Sequence, residues 1–126
     1  MNFRVMKVED IIIDLQATIS NLNIQYGNKP GYRGTSHHIY LEVWRKEIEL
    51  NIDQDILQVC YHLGHKTIFY ELLYSHNSES IKFNVQTTGY GNTEDERGSD
   101  WFYTVEEAIL FIKNKLIYIY EKYPKN

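Results

Sequence analysis

A chain of 126 residues with 43% hydrophobic and 24% charged side chains can bury one core without disulfide or metal staples, and is too apolar for wholesale disorder. Its formal charge of −4 argues against a general nucleic-acid binder, which needs a basic excess to neutralise phosphates, and suits a partner that is itself basic. The single cysteine, Cys60, cannot close an internal disulfide, so a reducing cytoplasm is the expected compartment.

Charges at Arg4, Lys7, Glu9, Asp10 and Asp14 interrupt the N-terminal stretch, so no secretory leader is expected there, and no apolar run is long enough for a membrane span. Val8, Ile11, Ile12, Leu15, Ile19 and Leu22 share one helical stripe, which predicts a helix over 8–22 with Glu9 and Asp10 at the positive end of its dipole. The segment 27–38, GNKPGYRGTSHH, then breaks regular structure through Gly27, Pro30, Gly31 and Gly34.

Residues 38–87 read as antiparallel strands. A tight turn at Arg45-Lys46 would set Val43 opposite Ile48, Leu41 opposite Leu50 and Ile39 opposite Ile52, all on one face. A second hairpin turning at Gly64-His65 pairs Tyr61 with Ile68, Val59 with Tyr70 and Leu57 with Leu72. Its other face carries Ile56, Cys60, Phe69 and Leu73, so either both faces are covered or one is a partner surface. After a turn at Ser75–Ser80, Ile81, Phe83, Val85 and Thr87 alternate as a fifth strand, while 88–100 reads as a polar, acidic loop. Thr104-Val105-Glu106-Glu107 is a capping box opening a helix to about residue 122 that buries Ile109, Ile112, Leu116 and Ile119. The expected fold is a single α+β domain over 1–126: an N-terminal helix, an antiparallel sheet of about five strands and a C-terminal helix packed on it.

Three patterns carry candidate chemistry. Cys60-x-His62-x-x-His65 has zinc-ligand residue types, yet His65 sits in a turn and no fourth ligand lies at motif spacing, so a small thiol beside a strand histidine is the favoured reading. Neither metal nor cofactor is expected. His37 and His38, with Tyr32, Arg33 and Tyr40, could assemble a metal-independent site acting on RNA or a nucleotide, but no nucleophile–base–orienter pattern accompanies them. The glycines and cations of 27–34 could cradle a phosphate, without the spacing of a P-loop.

The strongest partner-binding candidate is Glu94, Asp95 and Glu96 with Asp100 and Trp101, carboxylates beside aromatic anchors on a glycine-flanked loop. Tyrosine, 11 of the residues, adds rigid amphipathic area. The function expected from this pattern is non-enzymatic: binding and neutralising a basic protein, a toxin or a nucleic-acid-binding enzyme, as immunity proteins and inhibitors of this size do. A small His/Tyr/Arg enzyme is the first alternative. A homo-oligomer pairing through its second apolar sheet face is the other.

Overall fold

Two periodicities set the architecture: a 3.6-residue apolar repeat toward both ends of the chain and a two-residue alternation between them. A computed structural model describes residues 5–26, 37–76 and 81–123. In chain order the elements are β1 (Val5–Lys7), α1 (Val8–Ile11), α2 (Ile13–Tyr26), β2 (His37–Val43), β3 (Glu47–Glu49), β4 (Gln54–Leu63), β5 (Lys66–Tyr74), β6 (Phe83–Tyr90), a 3-10 turn (Glu94–Glu96), β7 (Gly98–Phe102) and α3 (Val105–Lys122). They form an α+β fold in which a five-stranded antiparallel sheet, ordered β2-β4-β5-β6-β7, carries the helices on one face. A short antiparallel ribbon, β1-β3, completes it.

The helical stripes behave as their spacing predicts. The N-terminal one is split at Ile12 (φ −107°, ψ 8°) into α1 and α2, yet Val8, Ile12, Leu15, Ile19 and Leu22 are all buried. At the start of α3 the Thr104 hydroxyl accepts from the Glu107 amide at 3.1 Å, and the Glu107 carboxylate accepts from the Thr104 amide at 3.1 Å. Both satisfy orphan groups of the first turn. Ile109, Ile112, Leu116 and Ile119 are buried, joined by Val105 and Ala108. They meet Leu57, Val59, Tyr61, Ile68, Tyr70, Leu72 and Val85 from the sheet. Each such aliphatic side chain contributes about 1.5–3 kcal/mol by leaving water.

The hairpin β4–β5 has the register expected from the sequence, with Tyr61 on Ile68, Val59 on Tyr70 and Leu57 on Leu72. Gly64 at the first turn position takes φ +66°, as a II′ turn requires.

The hairpin expected at Arg45-Lys46 does not form. Neither residue favours the positive φ that a two-residue hairpin turn demands. β2 instead pairs with β4, setting Ile39 on Tyr61, Leu41 on Val59 and Val43 on Leu57. The intervening β3 leaves the sheet to pair with β1, where Ile48 stands opposite Met6 and is fully buried. Ile52, expected inward opposite Ile39, is exposed. Gln54 holds this excursion together: its carboxamide oxygen accepts from the Glu49 amide at 3.1 Å, and its nitrogen donates to the carbonyls of Glu49 and Ile52.

The segment 88–100 is more ordered than a polar loop. β6 continues to Tyr90, the 3-10 turn follows, and β7 then pairs back on β6 with Trp101 opposite Asn84 and Phe102 opposite Phe83. The Phe102 and Phe111 rings meet at 5.2 Å, joining β7 to α3. No helix among the described residues is long and apolar enough to cross a membrane.

Candidate functional site

Strand alternation sends Leu57, Val59, Tyr61 and Leu63 of β4 toward the helices, so Gln58, Cys60 and His62 point to the opposite face. The registers extend that face across the sheet in ordered rows. One row runs His38, His62, Thr67, Tyr90; the next Tyr40, Cys60, Phe69, Thr88; the third Glu42, Gln58, Glu71, Gln86, Ser99. A bulge beside Ile56 keeps Asp55 on this face, in a fourth row with Leu73, Asn84 and Trp101. No helix among the described residues covers it.

At one end lies an aromatic and histidine cluster. The His38 and His62 rings are nearly parallel (5°) at 6.5 Å, and Tyr40 lies 5.6 Å from the first and 5.7 Å from the second. Cys60 Sγ is 3.3 Å from His62 Nε2, and His62 Nδ1 is 3.2 Å from the Thr67 hydroxyl. Burial, with the nearby His62 ring, holds the His38 imidazole below its ordinary pKa. Burial pushes the Cys60 thiol up, so it stays protonated and is a poor nucleophile. His65 lies at the β4–β5 turn, and among the described residues no three His, Cys, Asp or Glu side chains are placed to hold a metal ion. His37 faces the other way, buried with its Nδ1 2.8 Å from the Tyr61 hydroxyl. The paired histidines therefore serve opposite faces of β2, and Tyr32, Arg33 and the 27–34 loop lie outside the described residues.

The middle of the face is acidic. Glu42, Asp55 and Glu71 stand among the amides of Gln58, Asn84 and Gln86, while Arg45 and Arg97 lie toward its two ends. Arg97 sits 5.9 Å over the Tyr90 ring. Beside Trp101 the face dips into a groove of about 460 Å³ lined by Arg45, Asp55, Leu73, Asn84 and Gln86 among others.

Partial burial first, and the Asp55 carboxylate second, raise the Glu71 pKa above its ordinary value near 4.5. The sign of the consequence is fixed. A folded-state pKa above the unfolded one means that ionising Glu71 costs the fold stability. That cost is absent below about pH 4.5 and fully present once pH exceeds the folded value. Glu71→Gln is expected to melt slightly higher than the parent at pH 7, with the gap closing toward pH 4. A melting difference independent of pH would refute the uncompensated charge.

The residues singled out in the acidic segment do not act as one patch. Glu96 has a side chain only 7% exposed; its carboxylate accepts from Lys122 Nζ and, at 3.3 Å, from the Tyr123 hydroxyl. Asp95 lies 3.3 Å from the same lysine. The Glu96 hydrogen bond raises the Lys122 pKa, and burial raises that of the neighbouring Tyr70 phenol. This clamp fastens the end of α3 to the 3-10 turn. Glu94 is exposed, Asp100 is exposed on the helix side of β7, and Trp101 alone of the set lies on the open face. Strand alternation over Gln58–His62 and Phe69–Leu73 hinted at that face. Its acid–amide row appears only when the registers are known.

Comparison with protein-family models, with curated proteins and with solved structures finds no match.

Proposed function

We propose that this protein is a non-enzymatic binding domain that captures and neutralises a basic protein partner, in the manner of an immunity protein or inhibitor, on the open face of its sheet. One observation carries the reading. With the helices gathered on one side, the other side sets three carboxylates among hydrogen-bonding amides and rims them with exposed aromatic side chains. Lysine or arginine side chains laid along Glu42, Gln58, Glu71 and Gln86 would neutralise the carboxylate whose ionisation is already disfavoured. Tyr40, Tyr90 and Trp101 supply the large apolar anchors that dominate interface energetics. Exposed Glu94 and Asp95 add to the long-range attraction of a basic protein. A lone thiol suits the reducing cytoplasm in which this reading places the chain.

The test is affinity capture from lysate of the native host at low and high salt, with mass spectrometry, using the parent and a Glu42→Lys/Glu71→Lys double variant. One basic protein held at low salt by the parent, weakened at least tenfold by the reversal, is the expected result. Equal retention by both would move the partner off this face. An empty column at low salt would overturn the function.

A further inference from the structure

The two edges of the five-stranded sheet are treated differently. At the β2 edge the Asn23 carboxamide, from α2, takes both outward backbone groups of Ile39: its nitrogen donates to the Ile39 carbonyl at 2.7 Å and its oxygen accepts from the Ile39 amide at 3.0 Å. A side chain there stands in for a missing strand. β7, at the other edge, has no such cover among the described residues, and Gly98, Ser99, Asp100 and Trp101 are all exposed. The Asn84 side chain on β6 donates to the Asp100 carbonyl at 2.9 Å, so the Asp100 backbone faces β6. Backbone groups alternate in direction along a strand. Those of Ser99 and Trp101 therefore point away from the sheet, an unpaired half-ladder beside an indole that is 48% exposed.

We propose that this edge pairs antiparallel with the β7 edge of a second copy of the chain, about a two-fold axis at Trp101. An axis normal to the sheet keeps each face on its own side, so only residues of the same face can meet across it. Three registers use the outward groups. One centred on Ser99 needs the Arg97 amide, which already donates to the Glu94 carbonyl at 3.2 Å. One centred on Asp100 sets two carboxylates directly opposite, about 4.5 Å apart at the Cα level, where like charges destabilise the pair. The register centred on Trp101 finds the Tyr103 amide engaged, donating to Glu107 Oε1 at 3.1 Å. It nevertheless keeps the Trp101 pair and the Tyr103 carbonyl for Ser99, avoids facing carboxylates and, unlike the Ser99 register, brings the two indoles together. It sets Trp101 on the second copy's Trp101, Asp100 against Phe102 and Ser99 against Tyr103, the last 61% exposed. The sheet then continues through ten strands, and the two open faces lie side by side.

This assignment shares Trp101 with the basic-partner reading but rests on the backbone of the β7 edge, and it is tested on the protein alone. A strand edge of five residues makes a small interface, below roughly 1,200 Å², so the dimer forms reversibly as concentration rises. Sedimentation equilibrium of the parent should pass from 15.0 kDa toward twice that mass. Trp101→Pro removes an outward amide and no β6 bond, a substitution that edge strands accept; it should stay monomeric. Trp101→Lys keeps the amide but sets like charges across the axis, and should weaken association at least tenfold with the circular dichroism unchanged. A parent that remains monomeric up to about 1 mM, where any residual association is negligible, overturns the proposal. So does a folded Trp101→Lys protein that dimerises as tightly as the parent.

Discussion

Gly89→Ala is expected to cost the fold at least about 3 kcal/mol, the upper end of what overpacking a filled interior does. Gly89 lies near the end of β6 on its helix side, and a Cβ there would stand 2.1 Å from the Thr93 carbonyl oxygen, 2.6 Å from its hydroxyl and 2.8 Å from its carbonyl carbon. Backbone, not the tip of a flexible side chain, fills the space, so relief requires moving the turn. That turn is anchored. The Thr93 side chain is fully buried, with its hydroxyl donating to the Tyr90 carbonyl at 2.8 Å and lying 3.3 Å from that of Thr67. Its carbonyl accepts from the Glu96 amide at 3.0 Å. Displacing Thr93 therefore drags Glu96 from Lys122 and Tyr123, and with it the clamp on the end of α3. Urea denaturation of Gly89→Ala beside Gly98→Ala decides the matter. At Gly98 a Cβ would meet only Asp100 Oδ2, at 3.7 Å, so that change should stay within about 0.5 kcal/mol of the parent. A loss under about 1 kcal/mol at Gly89 would show that the turn slides freely, leaving the clamp without structural weight.

The same contrast between local and distant determinants explains how far the sequence could be read. The capping box and apolar stripe of α3 are set by residues within a few turns of one another, as are Gly64 and the alternation on either side of it. Those elements have the positions expected of them. The Ile48–Leu50–Ile52 alternation names no partner and breaks after Ile48; β3 ends at Glu49, and its partner is the three-residue β1, too short for periodicity to reveal. β7 escapes notice for the opposite reason. At an edge, nearly every residue of GSDWF is exposed, so neither face leaves an apolar pattern. The site was legible only in fragments. Cys60, Phe69 and Leu73 betrayed a second half-apolar face, but the Glu42–Gln58–Glu71–Gln86 row crosses four strands and depends on every register between them. Composition marked Glu94–Glu96 as a surface run; that Glu96 turns inward follows from the approach of Lys122, 26 residues away.

Asn23 is the sharpest case of a residue whose role is purely tertiary. In sequence it is one polar position following the stripe that ends at Leu22; in space it caps a strand. Replacing it by alanine leaves the Ile39 amide and carbonyl without their partners beside a side chain that is only 2% exposed. Leaving such groups unsatisfied costs about 1–3 kcal/mol, so a loss of about 2 kcal/mol is expected for Asn23→Ala. Stability is half of the prediction. The carboxamide also denies β2 to other strands, and without it both edges of the sheet are open. Asn23→Ala should therefore scatter light on standing at concentrations where the parent stays clear, under conditions in which both remain folded. Asn23→Asp retains the acceptor for the Ile39 amide but loses the donor to its carbonyl, and should fall between the two in both measurements. If Asn23→Ala lost stability without gaining any tendency to aggregate, the carboxamide would be a hydrogen-bonding anchor for α2 alone, and β7 would lose the contrast that marks it as the edge left open for pairing.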